Sequence, residues 1–459
     1  MKETRPFSMK DKIGYTLGDL GCCCTEQFRA MYLAIFYTLV LKVNPVHVGI
    51  LMLITKLWDA INDPLIGALV DSHKNKGKGK FIPWIKFFAF PTAVLCILGF
   101  VNVSNFAYGA RIAYMFITYI VYEIMYTCVS VPFGSLSSVM TDDVNQRTDL
   151  SRFRSLGGTI FMTVIVIAGP LFLYKDNQPV PSHFLIMSAI CAVIGLICLM
   201  FTSHWCKERI IAEPVTKEKE KLNYFQVIKD ITKNRALLGV MLSSFIGIVG
   251  AGMINGLNTY LFRDYFGNVA IMAVSGMLSV IWSLIAFVGT KFVAKKFGKK
   301  EWIMYSATFS VVVYAILFFF PLENPLLFII INGICYLGVS GFQVLVWALV
   351  NDAIDYQELQ TGKRNEGIVY SAYTFFRKLA NAVSGSMSSF ALAIAGFQVN
   401  EAVQSEAFSG RLWKTYTGLY VVGYLLAVLV LKFIYPLTKE KTAEMLQNLS
   451  DKRNAATEE

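Results

Sequence analysis

Ionisable side chains recur at a regular spacing between Lys56 and Pro64, within an otherwise apolar stretch. On a helix, Lys56, Asp59 and Asp63 follow the spacing i, i+3, i+7 and lie along one face, with Asn62 beside them. Two carboxylates held close together repel each other, so the pair binds a cation or keeps a proton on one acid. Oxygen ligands suit a hard monovalent cation. The spacing therefore predicts a cation site at Asp59, Asn62 and Asp63. The simpler interpretation, that Lys56 pairs with Asp59, leaves Asp63 unexplained.

Charged residues in two other apolar stretches also need a partner or a polar cavity, because apolar surroundings penalise an isolated charge. Glu26 and Arg29 lie at i, i+3 and either compensate each other or line a cavity. Asp19, nearer the amino end, is a candidate gating or capping group. The adjacent residues Arg377 and Lys378 point about 100° apart on a helix. We expect Lys378 to face the cavity and Arg377 to extend towards the membrane surface.

Two further sets of polar residues have competing interpretations. Thr127 either gives a hydroxyl oxygen to a cation or bonds the backbone of its own helix, which is the ordinary behaviour of a buried threonine. Asp352 and Asp355, with Arg364 in the following loop, are predicted to form an ion-pair latch that gates the protein. A solvated helix end is the alternative for this second set.

The composition places these residues in a membrane. Of the 459 residues, 55% are hydrophobic and only 16% are charged, against ~25% charged in an ordinary globular protein. The apolar residues fall in runs of roughly 20, the length that crosses a bilayer. This pattern excludes a disordered, fibrous or disulfide-scaffold protein and predicts an all-α membrane protein.

Apolar runs of membrane length number about twelve. The predicted spans are 16–41, 47–70, 82–103, 109–138, 154–174, 183–205, 236–262, 269–293, 301–321, 325–351, 368–397 and 412–435. Lysines crowd the loops 74–80 and 295–300, whereas the loops after the third and ninth spans carry almost no basic residue. The positive-inside rule then places both termini and the central loop in the cytoplasm.

The long polar segment 206–235 divides the chain into two halves. We predict a six-helix bundle over 1–205, a cytoplasmic central loop over 206–235, a second six-helix bundle over 236–435 and a cytoplasmic tail over 436–459. Each half has its basic loop after its second span. This parallel placement predicts a six-plus-six duplication, the major facilitator fold, with a substrate site between the halves.

Several other classes of protein are excluded. The 42 basic and 31 acidic residues give a net charge of +11, but the basic residues lie in loops and tails, so they indicate topology and no nucleic-acid partner. The nine cysteines form no CxxC pair, and the four histidines lie near span ends without a nucleophile, base or metal cluster. We therefore expect neither an enzyme nor a cofactor. The polar segment 1–12 lacks the apolar core of a cleavable signal.

Several segments carry a resemblance to a transporter family. They are Lys12 to Tyr15, Gly18 and Asp19, Tyr32 to Tyr37, Trp58 to Pro64, Gly79 to Trp84, Val131 to Phe133, Asp352 to Tyr356 and Tyr370 to Lys378. With them the chain resembles, nearly end to end, the glycoside-pentoside-hexuronide:cation symporters, the melibiose-permease-like branch of the major facilitator superfamily. The resemblance implies that Asp59, Asn62, Asp63 and Thr127 form the site of the coupling cation.

The resemblance also bears on the sugar. It implies that Lys378 lies between the cation and sugar sites and that Arg154 lines the sugar cavity. Where melibiose-type members hold a galactoside with two aspartates, this chain has Cys23 and Ser130. A cavity with more cations than acids complements an anionic substrate such as a uronide or sulfosugar, and the chain is more similar to the glucuronide and sulfosugar carriers. The predicted substrate-binding residues are Glu26, Arg29, Tyr32, Arg154, Trp347, Tyr373 and Lys378, although each aromatic residue could equally be a packing residue.

These observations predict a secondary symporter of the cell membrane that acts as a monomer and couples a sugar or glycoside to a monovalent cation. Sodium is favoured as the coupling ion because Asn62 and Thr127 add neutral oxygen ligands that a proton carrier does not need; H⁺ and Li⁺ are the alternatives. A related branch carries lipids with charged head groups, and this is the alternative cargo. The polar candidates of this chain argue against it.

Overall fold

The computed structural model describes residues 5–72, 79–210, 234–361, 366–401 and 403–458, most of which are helical. The first half forms the helices α1 (Met9–Ile35), α2 (Pro45–Ser72), α3 (Ile82–Leu98), α4 (Tyr108–Met140), α5 (Val144–Phe172) and α6 (Pro181–Trp205). A short antiparallel pair, β1 (Tyr174–Lys175) and β2 (Gln178–Pro179), joins α5 to α6. Its turn residues Asp176 and Asn177 have φ of 50° and 62°, as a tight hairpin turn requires.

The second half repeats this series of helices. It forms α7 (Arg235–Tyr260), α8 (Ile271–Phe297), α9 (Lys299–Phe319), α10 (Pro325–Thr361), α11 (Glu366–Ile394), α12 (Glu406–Phe433) and a polar carboxyl-terminal helix, α13 (Lys439–Glu458). Side chains cap several of these helices: Asn234 accepts a hydrogen bond from the backbone N–H of Leu237, and Ser405 from that of Phe408.

The helical membrane class predicted from the sequence is confirmed, and a helix overlaps each of the twelve predicted spans, although several helices end before the predicted span does. Within the described residues, seven helices are long and apolar enough by themselves to cross a bilayer, namely α4, α5, α6, α7, α8, α9 and α12. Charged or polar residues lower the hydropathy of α1, α2 and α11, and these helices carry several of the candidate functional residues. The orientation of the termini stays a prediction.

Large apolar side chains point outward from both halves. Phe87 and Phe90 on α3 are 73% and 62% exposed, and Phe292 on α8 is 70% exposed. Apolar surface on this scale is unfavourable in water, but hydrocarbon solvates it without cost. The outward-facing residues therefore indicate a lipid environment for the helix faces that carry them.

The chain divides into two compact units, Met1–Lys217 with Gln398–Ala402, and Glu218–Phe397 with Val403–Glu459. In the first unit α1 packs on α5 and α6, α3 packs on α4 and α6, and α2 packs on α4. In the second unit α7 packs on α11 and α12, α9 packs on α10 and α12, and α8 packs on α10. Each pairing of the first unit recurs six helices later, as an internal duplication produces.

The first helix of each unit ends in the same unusual way. A π-helical turn, Phe36–Val40, follows α1, and a second one, Leu261–Tyr265, follows α7. Such turns widen the helix by one residue and occur often at functional sites. The periodicity of apolar residues does not predict them.

The segment that follows α6 is fastened to the first unit. Glu208 accepts hydrogen bonds from the backbone N–H groups of Lys80, Phe81 and Ile82 at 2.6, 2.8 and 2.8 Å, and so caps the start of α3. Gly79 precedes this cap with φ of +84°, and a β-carbon there would lie 2.6 Å from Glu208. Residues 206–210, assigned to the central loop from the sequence, thus pack against the first bundle.

Candidate cation and substrate site

Three helices of the first unit bring acidic and basic side chains together. Lys56 of α2 places its ammonium nitrogen 2.9 Å from Oδ2 of Asp59, the pairing that the simpler sequence interpretation expected. The same nitrogen lies 4.0 Å from Oε1 of Glu26 on α1 and 3.9 Å from Oε1 of Glu123 on α4. Glu26 therefore has Lys56 rather than Arg29 as its nearest opposite charge within the described residues. The helical spacing in α2 aligns these groups, and the packing of α2 on α4 supplies the third carboxylate.

The second acid of the pair, Asp63, contacts the fourth helix. Its Oδ1 accepts a hydrogen bond from the hydroxyl of Thr127 at 3.3 Å. Thr127 is only 3% exposed, and this bond joins it to Asp63 of α2. Its role as a ligand of the cation stays a prediction. Pro64 follows Asp63 inside α2 and, lacking an N–H, leaves a backbone carbonyl without its helical partner.

Buried polar atoms around these acids lack hydrogen-bond partners among the described residues. Oδ1 of Asp59 and Nδ2 of Asn62 are both of this kind, and Asn62 as a whole is 4% exposed. Rotating the Asn62 amide by 180° exchanges its oxygen and nitrogen without changing its shape. A buried carboxylate oxygen without a partner, together with an amide oxygen brought in by this rotation, matches the donor set of a hard cation, so the residues present fit Na⁺. In the part of the chain that the structure describes, no group of three or more His, Cys, Asp or Glu side chains forms a metal site.

Glu123 belongs to this cluster and was missed from the sequence. It is 3% exposed, and its Oε1 has no hydrogen-bond partner among the described residues. Glu123 is the single acidic residue between 109 and 138. That isolation within a predicted span is the signal that could have identified it, because membrane acids are rare and functional.

Arg29 is buried beside the cluster and stacks on aromatic rings. Its guanidinium carbon lies 3.3 Å from the ring centroid of Tyr122 and 4.8 Å from that of Tyr119. The side-chain nitrogens of Arg29 are buried and have no hydrogen-bond acceptor among the described residues. Stacking of this kind stabilises a desolvated guanidinium by about 2 kcal/mol. The predicted role of Arg29 in substrate binding stays a prediction.

The cluster carries more negative than positive charge. Its four carboxylates are Glu26, Asp59, Asp63 and Glu123, and its two cations are Arg29 and Lys56, so four minus two leaves a formal excess of two negative charges. Unit charges 4 Å apart near a protein surface interact with about 4 kcal/mol, and desolvation of each ion costs several kcal/mol. The two cations cannot offset all four carboxylates. A bound cation or added protons would complete the neutralisation.

The predicted sugar-side residues of the first unit make contacts between α1 and α5. Arg154 donates from Nε to Oδ1 of Asp19 at 2.9 Å, and Oδ2 of Asp19 accepts from the backbone N–H of Gly158 at 3.0 Å. The Arg154 side chain is nevertheless 45% exposed. Tyr32 is buried and donates its hydroxyl to the carbonyl of Ile165 at 3.3 Å. Asp19 thus positions Arg154, and Tyr32 fastens α1 to α5.

The predicted residues of the second unit lie on α10 and α11. Trp347 and Tyr373 make an edge-to-face contact with ring centroids 5.1 Å apart, and Tyr373 accepts a hydrogen bond from Ser244 at 3.5 Å. The guanidinium carbon of Arg377 lies 5.7 Å from the ring centroid of Trp347, whereas Lys378 is exposed. Arg377 is therefore the cation that packs against the aromatic pair. The role of Lys378 stays a prediction.

The predicted gating residues are in part outside the described residues. Asp352 is 6% exposed and accepts two hydrogen bonds from Lys299, at the start of α9, both at 2.7 Å. Arg364, which the sequence offered as the partner, lies outside the described residues. Asp355 lies one turn further along α10 and is partly buried. The ion pair of Asp352 is thus made with Lys299, a residue that the sequence analysis used only for topology.

Solved structures share this fold. The crystal structure of a D-xylose-proton symporter superposes with a TM-score of 0.62 at 16% sequence identity, covering 94% of this chain and 98% of that chain. At this identity the likeness shows the fold alone. The fold and the apolar outward-facing helices define a multi-pass membrane protein with the major facilitator fold.

Sequence comparison then gives the family. Residues 14–439 match the family model described as MFS/sugar transport protein, so the chain belongs to the MFS/sugar transport protein family, whose members are transporters and not enzymes. It is 32% identical over 450 residues to the uncharacterized symporter YjmB of Bacillus subtilis (strain 168), covering 97% of this chain and 96% of that protein. It is also 27% identical over 464 residues to the putative sulfoquinovose importer of Escherichia coli (strain K12), covering 99% and 97%. The resemblance noted from the sequence motifs is confirmed.

Proposed function

We propose that the chain is a sodium-coupled symporter that carries a sugar or glycoside across the cell membrane and acts as a monomer. The observation that carries the proposal is the arrangement of Asp59, Asn62, Asp63 and Thr127, in which carboxylate, amide and hydroxyl groups lie on two packed helices with unbonded buried atoms among them. Family membership supports the sugar as cargo.

The cation acts by neutralising the acids. With the site empty, the negative charges repel one another and disfavour the conformation that binds the sugar; a bound cation removes this repulsion. Sugar and cation then raise each other's affinity by the same factor, because linkage is reciprocal. Transport follows when the doubly loaded protein changes its opening from one side of the membrane to the other.

The proposal can be tested by ligand-induced stabilisation. Purified protein is heated with a panel of neutral glycosides, uronides and sulfosugars, in NaCl and in choline chloride, since a ligand that binds only the native state raises the Tm. We expect at least one sugar to raise the Tm more in NaCl than in choline chloride. The variants Asp59→Asn and Asp63→Asn should lose this sodium-dependent part. Glu323→Gln, which changes an exposed carboxylate of the second unit, is the matched control. A sodium effect that survives both substitutions contradicts the proposal.

Sodium is proposed over the proton because Asn62 and Thr127 can add neutral oxygen ligands to those of the two acids. A proton needs one carboxylate and no such ligands, whereas Na⁺ needs several oxygens. Counterflow in vesicles in sodium-free buffer at several pH values separates the two ions. Full activity without sodium would identify a proton carrier.

An anionic sugar is the proposed substrate class. Cys23 and Ser130 occupy the positions at which melibiose-type carriers hold a galactoside with two aspartates. These two positions therefore place no carboxylate in the proposed sugar site. Arg154 offers a half-exposed guanidinium that suits a carboxylate or sulfonate. The similarity to a putative sulfoquinovose importer points the same way. Sulfoquinovose and a glucuronide should therefore stabilise the protein better than neutral glycosides. Stabilisation by neutral glycosides alone would rule out this substrate class.

A further inference from the structure

Lys56 can reach three carboxylates from one position. Its ammonium nitrogen is hydrogen-bonded to Asp59 at 2.9 Å, and Oε1 of Glu123 and Oε1 of Glu26 lie at 3.9 and 4.0 Å, each about 1 Å farther away. Oε1 of Glu123 and Oε2 of Glu26 are buried and make no hydrogen bond within the described residues. Lys56 therefore donates to Asp59, while a change of its rotamer would bring its ammonium group to Glu123 or Glu26.

The contact with Asp59 conflicts with cation binding. An ammonium on Oδ2 of Asp59 neutralises that carboxylate and places a positive charge beside the proposed site. Like charges at this separation repel strongly where water is scarce. The lysine ammonium is a compact charge on a flexible stem with three rotatable donors, so it can leave one acceptor for another while the backbone stays fixed.

Arg29 does not take over the acceptors that Lys56 leaves. Its guanidinium is held over the rings of Tyr122 and Tyr119, and it makes no ion pair within 4 Å among the described residues. The ionisable groups that face the cluster are Glu26 and Arg29 from α1, Lys56, Asp59 and Asp63 from α2, and Tyr119, Tyr122, Glu123 and Tyr126 from α4. Among them, Lys56 is the cation with a hydrogen bond to a proposed ligand.

We infer that Lys56 is a tethered competitor for the coupling cation, and that Glu123 and Glu26 hold its ammonium while the ion occupies Asp59. This inference rests on the proposed function and adds a control element to the same site. Without the ion, Lys56 shields Asp59, so the empty site is less strongly charged. With the ion bound, Lys56 pairs with the carboxylates of α1 and α4 and so ties those helices to α2.

The inference gives a quantitative expectation. The measured affinity for the ion equals the intrinsic affinity multiplied by the fraction of molecules in which Lys56 has left Asp59. Removing the lysine sets this fraction to one, so the ion binds more tightly. Removing Glu123 deprives the lysine of an alternative acceptor, so the fraction falls and the ion binds more weakly. Once the lysine is gone, the loss of Glu123 has little further effect.

The test is sodium binding to the purified full-length protein, measured by isothermal titration calorimetry with NaCl in choline chloride buffer. We expect Lys56→Gln to lower the Kd about tenfold and Glu123→Gln to raise it about tenfold, while the double variant stays within about twofold of Lys56→Gln. Glu26→Gln removes the other alternative acceptor and should also raise the Kd, so it replaces Glu123→Gln if that variant folds poorly. Lys56→Arg should keep a competing cation, and Glu323→Gln is the control carboxylate.

The outcomes distinguish a Lys56 that moves between acceptors from a Lys56 that stays in place. A simple electrostatic field, with Lys56 fixed in place, makes the two single effects add in the double variant, and this result would overturn the inference while leaving the sodium site intact. Single variants that leave the Kd unchanged would overturn it as well. A wild-type protein that binds no sodium refutes the proposed sodium coupling itself, and with it the competition for that ion.

Discussion

Thr127 donates its hydroxyl hydrogen to Asp63 across the contact between α4 and α2. If this hydroxyl also offers its lone pairs to the coupling ion, Thr127→Val removes one neutral ligand and leaves Asp63 without its buried donor. A hydrogen bond to a charged group contributes about 1.5 to 3 kcal/mol, so we expect the Kd for sodium to rise at least about tenfold. Thr127→Ser keeps the hydroxyl and should bind sodium nearly as well as the wild type. Calorimetry on the two variants is the measurement, and equal affinities would contradict the assignment.

Among single residues, the sequence predicts those that follow a helical period and misses those that stand alone. Asp59 and Asp63 are evident because their spacing is regular and their residue types are costly in a membrane. Glu123 has no partner within its own helix, so no spacing identifies it, and only the packing of α2 on α4 brings it to Lys56. The same limit applies to Asp352, whose partner Lys299 lies on another helix.

At the scale of whole helices, the close packing of α1 on α5 depends on a small residue at the contact. A β-carbon at Gly157 would lie 2.5 Å from the carbonyl oxygen of Thr16 and 2.7 Å from the backbone nitrogen of Leu20, so the two backbones touch at this point. Gly157→Ala should force the helices apart at a cost of about 1 to 3 kcal/mol. We expect a lower Tm in detergent.

Gly134, on α4, provides the matched control. A β-carbon there would meet nothing within 4 Å. Gly134→Ala should leave the Tm unchanged or raise it slightly, because alanine favours a helix over glycine by about 1 kcal/mol. Equal Tm changes in the two alanine variants would show that α1 and α5 can separate without cost.

The start of α1 is held to the end of α6 by a buried acid. Asp11 is fully buried and receives hydrogen bonds from Arg5 at 2.7 Å and from Arg209 at 3.0 and 3.1 Å. Cys206 is also fully buried here, and burial raises the pKa of its thiol to about 12, so almost no reactive thiolate forms at pH 8. In the wild type, N-ethylmaleimide should therefore label Cys206 very slowly.

Asp11→Asn keeps the shape of the side chain but removes its charge. Leaving two arginines without their buried partner costs about 3 to 5 kcal/mol, which should loosen this end of the bundle. We expect much faster labelling of Cys206, measured by mass spectrometry of the peptide that contains it. Asp142→Asn, at an exposed position, should label as slowly as the wild type. Slow labelling in both variants would mean that Asp11 does not hold the segment.

At the level of elements, the sequence predicts the helices well because runs of apolar residues are long and their loops are charged. It gives no sign of the π-helical turns after α1 and α7, because they change the hydrogen-bonding pattern without changing the apolar composition. The polar composition of the run from Cys206 to Ile210, which the sequence assigns to the central loop, also gives no indication that these residues form hydrogen bonds with the first bundle.

For the molecule as a whole, symport requires that binding of each ligand changes the affinity of the protein for the other. If the Kd for sulfoquinovose falls by some factor when sodium is added, the Kd for sodium must fall by the same factor when sulfoquinovose is added. Coupling energies of 1 to 3 kcal/mol are typical, which corresponds to about 5- to 150-fold. Calorimetric titrations in both orders measure the two factors. Independent binding of sugar and ion would exclude obligatory coupling through this site.

The duplication of the chain is the part of the whole molecule that the sequence indicates most directly, through two basic loops at matching positions. The structure adds the repeated packing of each helix pair, which no linear pattern contains. The described members of the charge cluster, in contrast, all belong to the first unit.

Arg209 and Ile210 donate their backbone N–H groups to the carbonyl of Val139, at 2.7 and 3.0 Å. Among the described residues of this segment, these hydrogen bonds and those made by Glu208 all precede residue 211. A gene fragment that stops after codon 210 retains all of these fastenings, whereas one that stops after codon 205 discards them. The longer fragment should yield an autonomous half-transporter, suited to measuring ion binding apart from sugar, and the shorter one should be degraded.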